Sequence, residues 1–433
     1  MSAHQRRIRA GRLWILAGIV LLSINLRPAI TGTAPVLGEL RARYGLDDTG
    51  AAVLTTLPVL CLGVFASLAP PLARRVGTEP AIVAALSLIT AGIGLRGLAS
   101  PVALYTGTVL AGTGIAIGNV LLPAIIKHRF PIRTGTLTGI AMTIMAASGA
   151  VAAGLAIPLD ETIGWHLAFL VWALPSLAAA LLWVRNARKA PRYRRIAPAS
   201  RGRHARRPDP VPADAEPADA EPAGRLLRSR LAWAVAGFLG AVSCTFYVLV
   251  SWLPMILQDY GYTGPESAAM LSVMMLVGIP FGFVVPLTAT RLTDQRPLLL
   301  GVLAVMAAGL GGLVLAPGQA WTWVLVTGVA TGSAFPLAII LLALRSPSPP
   351  TTARLSGMAQ TVGYLLAALG PLTMGLLRSA TGSWQTPLLV LLALLVPKTV
   401  LGLYAARPGL VHSRLIATGT SPDADSALAL SSR

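Results

Sequence analysis

Twelve apolar stretches, most of them about 20 residues long, dominate this sequence and constrain its fold more than any other feature. A helix of that length crosses the ~30 Å hydrocarbon core of a bilayer. Only 12% of the residues are charged, against roughly 25% in soluble domains. We therefore predict an all-α integral membrane protein whose spans are 13–36, 51–72, 80–98, 102–126, 135–158, 167–185, 231–257, 267–289, 298–316, 321–344, 355–378 and 386–406.

The positive charges are distributed unevenly between the predicted loops. An even number of spans puts both termini on one side. If that side is the cytoplasm, 29 of the 35 lysines and arginines lie there, as the positive-inside rule requires. The loops on the other side contain the acids Glu39, Asp47, Asp48, Asp160, Glu161, Asp259 and Glu266. The net charge of +19 thus reflects membrane topology and does not indicate a nucleic-acid partner.

Residues 186–230 separate the spans into two sets of six. This connection is Arg-rich and then Pro/Ala-rich, without apolar periodicity, so it cannot bury a core and we predict a disordered cytoplasmic linker. The predicted domains are an N-terminal six-helix bundle, 13–185, and a C-terminal six-helix bundle, 231–406. The tails 1–12 and 407–433 are expected to be cytoplasmic.

The two halves contain similar motifs in the same order. LTGIAMT at 137–143 matches LSGMAQT at 355–361, and ASLAPPLARR at 66–75 matches GFVVPLTATR at 282–291. The offsets, 218 and 216 residues, are nearly constant. Such repetition indicates two structurally related halves, which is how many transporters are built.

Four further stretches resemble a known family: NLRPAITGTAPVLGELRARYGL, LTTLPVLCLGVFASLAP, GNVLLPAIIKHRFP and SGMAQTVGYLLAALGP. With the two six-helix halves, they resemble the major facilitator superfamily, and within it the cyanate permease and nitroimidazole transporter branch. The resemblance covers essentially all of 13–406 outside the linker. It implies two pseudo-symmetric bundles around a central cavity, transport by alternating access and a bacterial inner membrane. It does not specify the substrate.

The loop after the second span departs from the family pattern. It reads PLARRVGTEP, which keeps Arg74 and Arg75 as gating candidates but lacks the aspartate usual in this superfamily. The fifth span also lacks the Gly-Pro pattern of drug/proton antiporters. Both departures disfavour drug efflux.

Arg27 is a permanent cation inside the first apolar stretch. A central arginine costs about 2.5–3.5 kcal/mol on insertion scales, so it normally faces a bundle interior or a wet cavity. No Asp or Glu lies within the twelve stretches, so an anionic or strongly polarised ligand is the expected counter-charge. Snorkelling or a structural bond to backbone carbonyls remains the alternative. Helical spacing puts Ser23 and Thr31 on the same stripe, and Pro28 predicts a bend.

Other polar side chains at helical spacing are candidates for the same cavity. We predict substrate contacts from Asn119 in the fourth span, Tyr247 and Trp252 in the seventh, and Gln360 and Tyr364 in the eleventh. For each, interhelical packing is the alternative, and for Trp252 an interfacial belt position. Pro123 is a second structural candidate. Lys398 in the twelfth span is expected to snorkel to the inner end.

These observations favour a secondary active transporter for a small anionic or polar solute. The alternatives are multidrug or metabolite efflux by proton antiport and, in another class, a membrane receptor or sensor on a transporter-like scaffold. No cluster of nucleophiles, acids or metal ligands lies inside the stretches, so we expect no enzyme, cofactor or metal site. We expect a monomer in contact with lipid. Any coupling proton would travel with the substrate or on external groups such as Asp259 or Glu266.

Overall fold

A computed structural model describes residues 3–98, 100–189, 227–347, 349–409 and 411. Within them, twelve helical segments are long and apolar enough to cross a membrane, and the predicted all-α class and number of spans are confirmed. We refer to these segments as the first to twelfth spans. They are Leu13–Thr31, Asp48–Val76, Thr78–Arg96, Pro101–Arg129, Thr136–Ile163, Trp165–Arg188, Arg230–Asp259, Gly264–Arg291, Arg296–Leu315, Pro317–Leu344, Arg354–Thr381 and Gln385–Ala406.

Several spans contain more than one helix or extend beyond the membrane segment. The first consists of Ala3–Asn25 and Pro28–Thr31, and a short helix, Leu37–Tyr44, leads to the second. The remaining composite or extended elements are Asp48–Phe65, Ala66–Leu68 and Ala69–Val76 in the second span; Pro131–Arg133 and Thr134–Ile163 around the fifth; Trp165–Val171 and Ala173–Lys189 in the sixth; Pro317–Gln319 and Ala320–Leu344 in the tenth; Pro349–Thr381 in the eleventh; and Gln385–Ala393 and Leu395–Ala406 in the twelfth.

Two helices extend beyond the predicted spans. The first helix begins at Ala3, although its membrane span starts at Leu13 as predicted, so most of the tail 1–12 is helical. The sixth span's helix continues to Lys189, so residues 186–189 are not disordered. In both places, polar residues extend a helix past its apolar part, which hydropathy cannot detect. Residues 190–226 and 412–433, which hold most of the predicted linker and tail, lie outside the described residues.

The internal repeat is visible in local structure as well as in sequence. Asp47 caps the second span by accepting a hydrogen bond from Gly50 N at 2.7 Å. Thr263, 216 residues later, caps the eighth span in a capping box with Glu266. The same offset of 216 residues relates two further contacts. Arg129 pairs with Glu79 in the N-terminal half, and Arg345 donates to Gln295 in the C-terminal half. The two halves therefore use equivalent positions for equivalent structural tasks.

The buried core that joins the two halves is most extensive at one end of the bundle. We call the end where the sixth span stops and the seventh begins the linker end, and the opposite end the far end. At the far end one buried cluster, the shared core, joins both halves and includes Leu37, Ala52, Trp252 and Met374. Toward the linker end, one cluster belongs mainly to the N-terminal half but includes Tyr247, Ala367 and Ala368 of the C-terminal half. A third cluster lies within the C-terminal half alone. The largest core that joins the halves is therefore at the far end.

Candidate functional site

A break in the first span determines where Arg27 lies. The Ala3–Asn25 helix stops two residues before Arg27, and a new four-residue turn starts at Pro28. Because proline has no N–H, a helix breaks or restarts readily at this position. Arg27 is the N-cap of the new turn, and its carbonyl accepts the N–H groups of Ile30 and Thr31 at 3.0 and 3.1 Å. The bend predicted at Pro28 is present.

The Arg27 side chain has no polar partner among the residues that the structure describes: it makes no hydrogen bond and no ion pair there. It is partly exposed, and its guanidinium carbon lies 5.0 Å from the centre of the Phe246 ring in the seventh span. A guanidinium has five N–H donors, and a cation–π contact uses none of them. The donors are therefore available to a ligand or to water.

The predicted polar stripe around Arg27 is wrong for two of its members. Ser23 and Thr31 are both fully buried. The Ser23 hydroxyl donates to Ile19 O at 2.8 Å, within its own helix. The Thr31 hydroxyl donates to Gly149 O in the fifth span at 2.8 Å. Because the helix breaks at Arg27, residues on either side of the break do not keep the register of one continuous helix.

Three aromatic side chains from the C-terminal half lie near Arg27. The Phe246 and Tyr247 ring centres are 5.3 Å apart, and those of Tyr247 and Tyr364 are 6.3 Å apart, both edge to face. Both phenols are within electrostatic range of the Arg27 charge. Neither phenol hydroxyl makes a hydrogen bond to another described residue. The structure thus brings Arg27, Tyr247 and Tyr364 together from three spans in two halves.

Asn119 and Gln360 also have unused polar groups. Both side chains are partly exposed, and in the described part of the chain neither makes a hydrogen bond. Gly118, beside Asn119, packs closely against Leu26, the neighbour of Arg27, which puts Asn119 at the level of the break. Gln360 lies one helical turn from Tyr364, toward the linker end. Both are in positions from which a ligand near Arg27 could be reached.

The remaining predicted site residues lie elsewhere. Trp252 is 1% exposed in the shared core. Its indole N–H donates to Pro371 O at 2.9 Å, and its ring packs against Trp384, so it is neither an interfacial residue nor a neighbour of Arg27. Arg74 and Arg75 are exposed at the linker end. Pro123 is exposed within the helix Pro101–Arg129, which continues through it without interruption.

Lys398 does not snorkel, so that prediction is wrong. It is 1% exposed, and its ammonium donates to the Thr245 hydroxyl in the seventh span. Thr245 in turn donates to Ala241 O at 3.1 Å. The side chain is held between two helices of the C-terminal half and does not extend to the inner end.

Sequence reasoning missed two residues near the break. Phe246 carried no signal that separates it from an ordinary core aromatic. Arg96 did carry one, because it is a second arginine inside a predicted apolar stretch, 80–98. It is 1% exposed and donates hydrogen bonds to Thr108 Oγ1, Ala29 O and Thr33 Oγ1. Arg96 is thus fully engaged with protein groups, whereas Arg27 is not.

The helices extend beyond the apolar stretches, so several acids lie in their end turns. Glu79 pairs with Arg129 at the linker end. At the far end Asp160 is 9% exposed and lies beside Glu39 of the connecting helix. The hydrogen bond with the Asp160 side chain, together with desolvation, raises the pKa of Glu39 to about 7. Asp259 lies 3.5 Å from Arg378, and Glu266 accepts from Thr263. None of these acids lies near the middle of a span.

Comparisons with known proteins agree with this architecture. Residues 13–371 match the family model described as Major Facilitator Superfamily. The chain is 37% identical over 397 residues to the 2-nitroimidazole transporter of Escherichia coli strain K12, covering 92% of this chain and 96% of the relative. It is 28% identical to the cyanate transport protein CynX of the same organism, covering 86% and 91%.

The similarity of this chain to a solved structure supports only the fold. It is a bacterial homologue of the human lysosomal transporter Spinster, in an inward-facing and unoccupied conformation. The TM-score is 0.70 at 16% sequence identity, with 91% of this chain and 96% of that chain covered.

Proposed function

The chain belongs to the Major Facilitator Superfamily and is a membrane transporter, and from that premise we propose that it carries a small, planar solute that is anionic or strongly polarised, such as a nitro-substituted ring. The observation that supports this is the Arg27 guanidinium, which is inside the bundle and has no polar partner among the described residues. Two parallel N–H groups of a guanidinium match the two oxygens of a carboxylate or nitro group.

The groups around Arg27 support a planar ligand. Phe246 and Tyr364, both partly exposed, supply flat apolar surfaces that can lie against a ring, and Tyr247, which is 4% exposed, packs against both. The two phenol hydroxyls and the amides of Asn119 and Gln360 supply both donors and acceptors. A site of mainly apolar walls with a few convergent polar groups is typical of small-molecule binding. The relatives named for 2-nitroimidazole and cyanate transport handle solutes of this size and polarity.

We propose access from the linker end, because the largest buried cluster that joins the two halves lies at the far end. The transport cycle we propose separates the halves at the far end while they approach at the linker end. The distribution of lysines and arginines supports a linker end in the cytoplasm of a bacterial inner membrane. We propose a monomer, because Arg27, Tyr247 and Tyr364 come together within a single chain. Any coupling proton would use the substrate or acids near the far end.

Thermal melting of the purified protein with candidate solutes tests the proposal. A ligand at a hundredfold excess over its Kd stabilises the folded state by about 2.7 kcal/mol. We expect 2-nitroimidazole or cyanate to raise the melting temperature. The control is 2-methylimidazole near pH 6, where it has the same ring size but is cationic. Stabilisation by the cation and by neither of the other two solutes would overturn the proposed substrate class.

A further inference from the structure

Arg96 lies at the far end of the third span and connects three spans. It is 1% exposed. Nε donates to the Thr108 hydroxyl of the fourth span at 3.0 Å, Nη1 to the Ala29 carbonyl at 2.7 Å and Nη2 to the Thr33 hydroxyl at 2.9 Å. The Phe169 ring of the sixth span lies 5.3 Å from its guanidinium carbon. Two of the three hydrogen bonds reach the segment that follows Arg27.

The Ala29 carbonyl needs such a partner because the turn that follows the break ends at Thr31. In a continuous helix it would accept the N–H of Thr33. Here the Thr33 N–H donates to Ile30 O at 3.4 Å, and the Gly32 N–H donates to Pro28 O at 2.9 Å. Ala29 O is left with the Thr33 hydroxyl at 3.2 Å and Arg96. A buried carbonyl without a partner is costly, so Arg96 stabilises this turn over a continued or unwound helix.

We infer that Arg96 is a positioning residue for substrate binding, which holds the Pro28–Thr31 turn so that the Arg27 side chain points at the ligand. This inference rests on the proposed role of Arg27. The turn is also held by the fifth span, since Thr31 donates to Gly149 O. Gly149 packs closely against Arg27 Cβ. With the turn held by Arg96 and by the fifth span, the direction in which Arg27 leaves it is fixed.

Lysine cannot replace arginine in this role. The three contacts of Arg96 use three different nitrogens of one planar group, directed at two spans at once. An ammonium is a single point charge, and it would keep the charge but not the geometry. Arg96→Lys therefore separates the positioning of Arg27 from any effect of the positive charge on an anionic ligand.

The chain offers a matched control in its other half. Arg345 is 5% exposed and donates to Ala405 O and Ala406 O, each at 2.9 Å, and to Gln295. It is thus a buried arginine with carbonyl partners at the linker end of the C-terminal half, away from Arg27. Arg345→Lys should affect overall stability but leave the turn near Arg27 unchanged.

The test combines a ligand-free and a ligand-dependent measurement on full-length protein. Hydrogen–deuterium exchange of peptides covering 26–36 reports on the turn without any ligand. We expect exchange there to be about tenfold faster in Arg96→Lys, the effect of losing one charge-assisted hydrogen bond, and unchanged in Arg345→Lys. The Kd for 2-nitroimidazole should rise about tenfold in Arg96→Lys and stay constant in Arg345→Lys. Thr33→Val removes only the hydroxyl that accepts from Arg96 Nη2, and it should also speed exchange in 26–36 and raise the Kd. This variant tests the inference if Arg96→Lys fails to fold.

The outcomes are distinguishable from a failure of the proposed substrate. If wild-type protein does not bind 2-nitroimidazole but exchange rises in 26–36 for Arg96→Lys and Thr33→Val, the substrate is wrong and the positioning of the turn stands. Exchange that is unchanged in these variants, or raised equally in Arg345→Lys, would overturn the inference. So would a normal Kd in a folded Thr33→Val protein whose turn exchanges faster.

Discussion

Gly375 in the eleventh span lies where the two halves meet at the far end, and a methyl group there should favour the opposite conformation. A Cβ at this position would be 2.5 Å from Ala52 Cβ in the N-terminal half and 2.8 Å from Trp252 Cζ2, against 3.4–4 Å for ordinary contacts. Ala52 is 0% and Trp252 1% exposed, and the Trp252 indole is held by Pro371 O. Side-chain rotation cannot relieve the overlap with Ala52, but separation of the halves can.

The expected magnitude follows from the cost of overpacking. One extra carbon in a tightly packed core costs about 1–3 kcal/mol, which corresponds to a roughly 5–150-fold change in a two-state equilibrium. If about 1% of wild-type molecules are open at the far end, Gly375→Ala should raise that fraction to between about 5% and about 60%. Gly402→Ala is the matched control, because its Cβ would meet Leu299 and Phe238 at 2.7 and 2.9 Å within the C-terminal half alone.

Distance measurements between spin labels at the far end would detect this shift. Suitable sites are Glu161 and Gln319, exposed positions in different halves, in a background with Cys61 and Cys244 replaced by alanine. Gly375→Ala should add a longer-distance population, and Gly402→Ala should lower the melting temperature without it. An unchanged distance distribution in folded Gly375→Ala, or the same shift in Gly402→Ala, would refute the reasoning.

Two further predictions concern groups that the proposed site does not use. The raised pKa of Glu39, about 7 against an ordinary 4.5, means that the folded state binds this proton more tightly than the unfolded state. Its contribution to stability is therefore present below pH 4.5 and is lost as the pH rises to 7. Melting temperatures across this range should fall less steeply for Glu39→Gln and for Asp160→Asn than for wild type, and parallel curves would contradict the assignment. Thr245→Val should destabilise the protein by about 1–3 kcal/mol, because the buried Lys398 ammonium loses its partner, whereas Lys398→Met should be neutral or stabilising. Denaturant unfolding of both variants checks this, and a larger loss of stability in Lys398→Met than in Thr245→Val would contradict it.

The fold could be predicted from sequence because the bilayer imposes one simple requirement. Each span must be long and apolar, so hydropathy alone located all twelve, and repeated motifs such as 137–143 and 355–361 revealed the two halves. The ends of the helices were harder to predict from sequence, since residues such as Lys189 extend a helix into polar surroundings. There, capping and packing determine the boundary.

The candidate site was partly predictable for a related reason. Arg27 stands out because a cation in an apolar stretch is costly, and the same rule applies to Arg96, whose role depends on contacts with other spans that no local pattern encodes. Ser23 and Thr31 were misassigned because helical periodicity does not continue through a break. Trp252 was misassigned because a tryptophan near a helix end can lie at a lipid interface, in a cavity or, as here, in a core.

Binding of 2-nitroimidazole to Arg27→Ala and Arg27→Lys tests the central claim, that Arg27 is the counter-charge of the substrate. We expect Arg27→Ala to fold with an unchanged or higher melting temperature, because it removes a costly cation that has no polar partner among the described residues. It should also lose the ligand-induced stabilisation shown by wild type. Arg27→Lys should retain part of it, since an ammonium cannot make the planar two-pronged contact. A well-folded Arg27→Ala protein that binds 2-nitroimidazole with wild-type affinity would contradict the account.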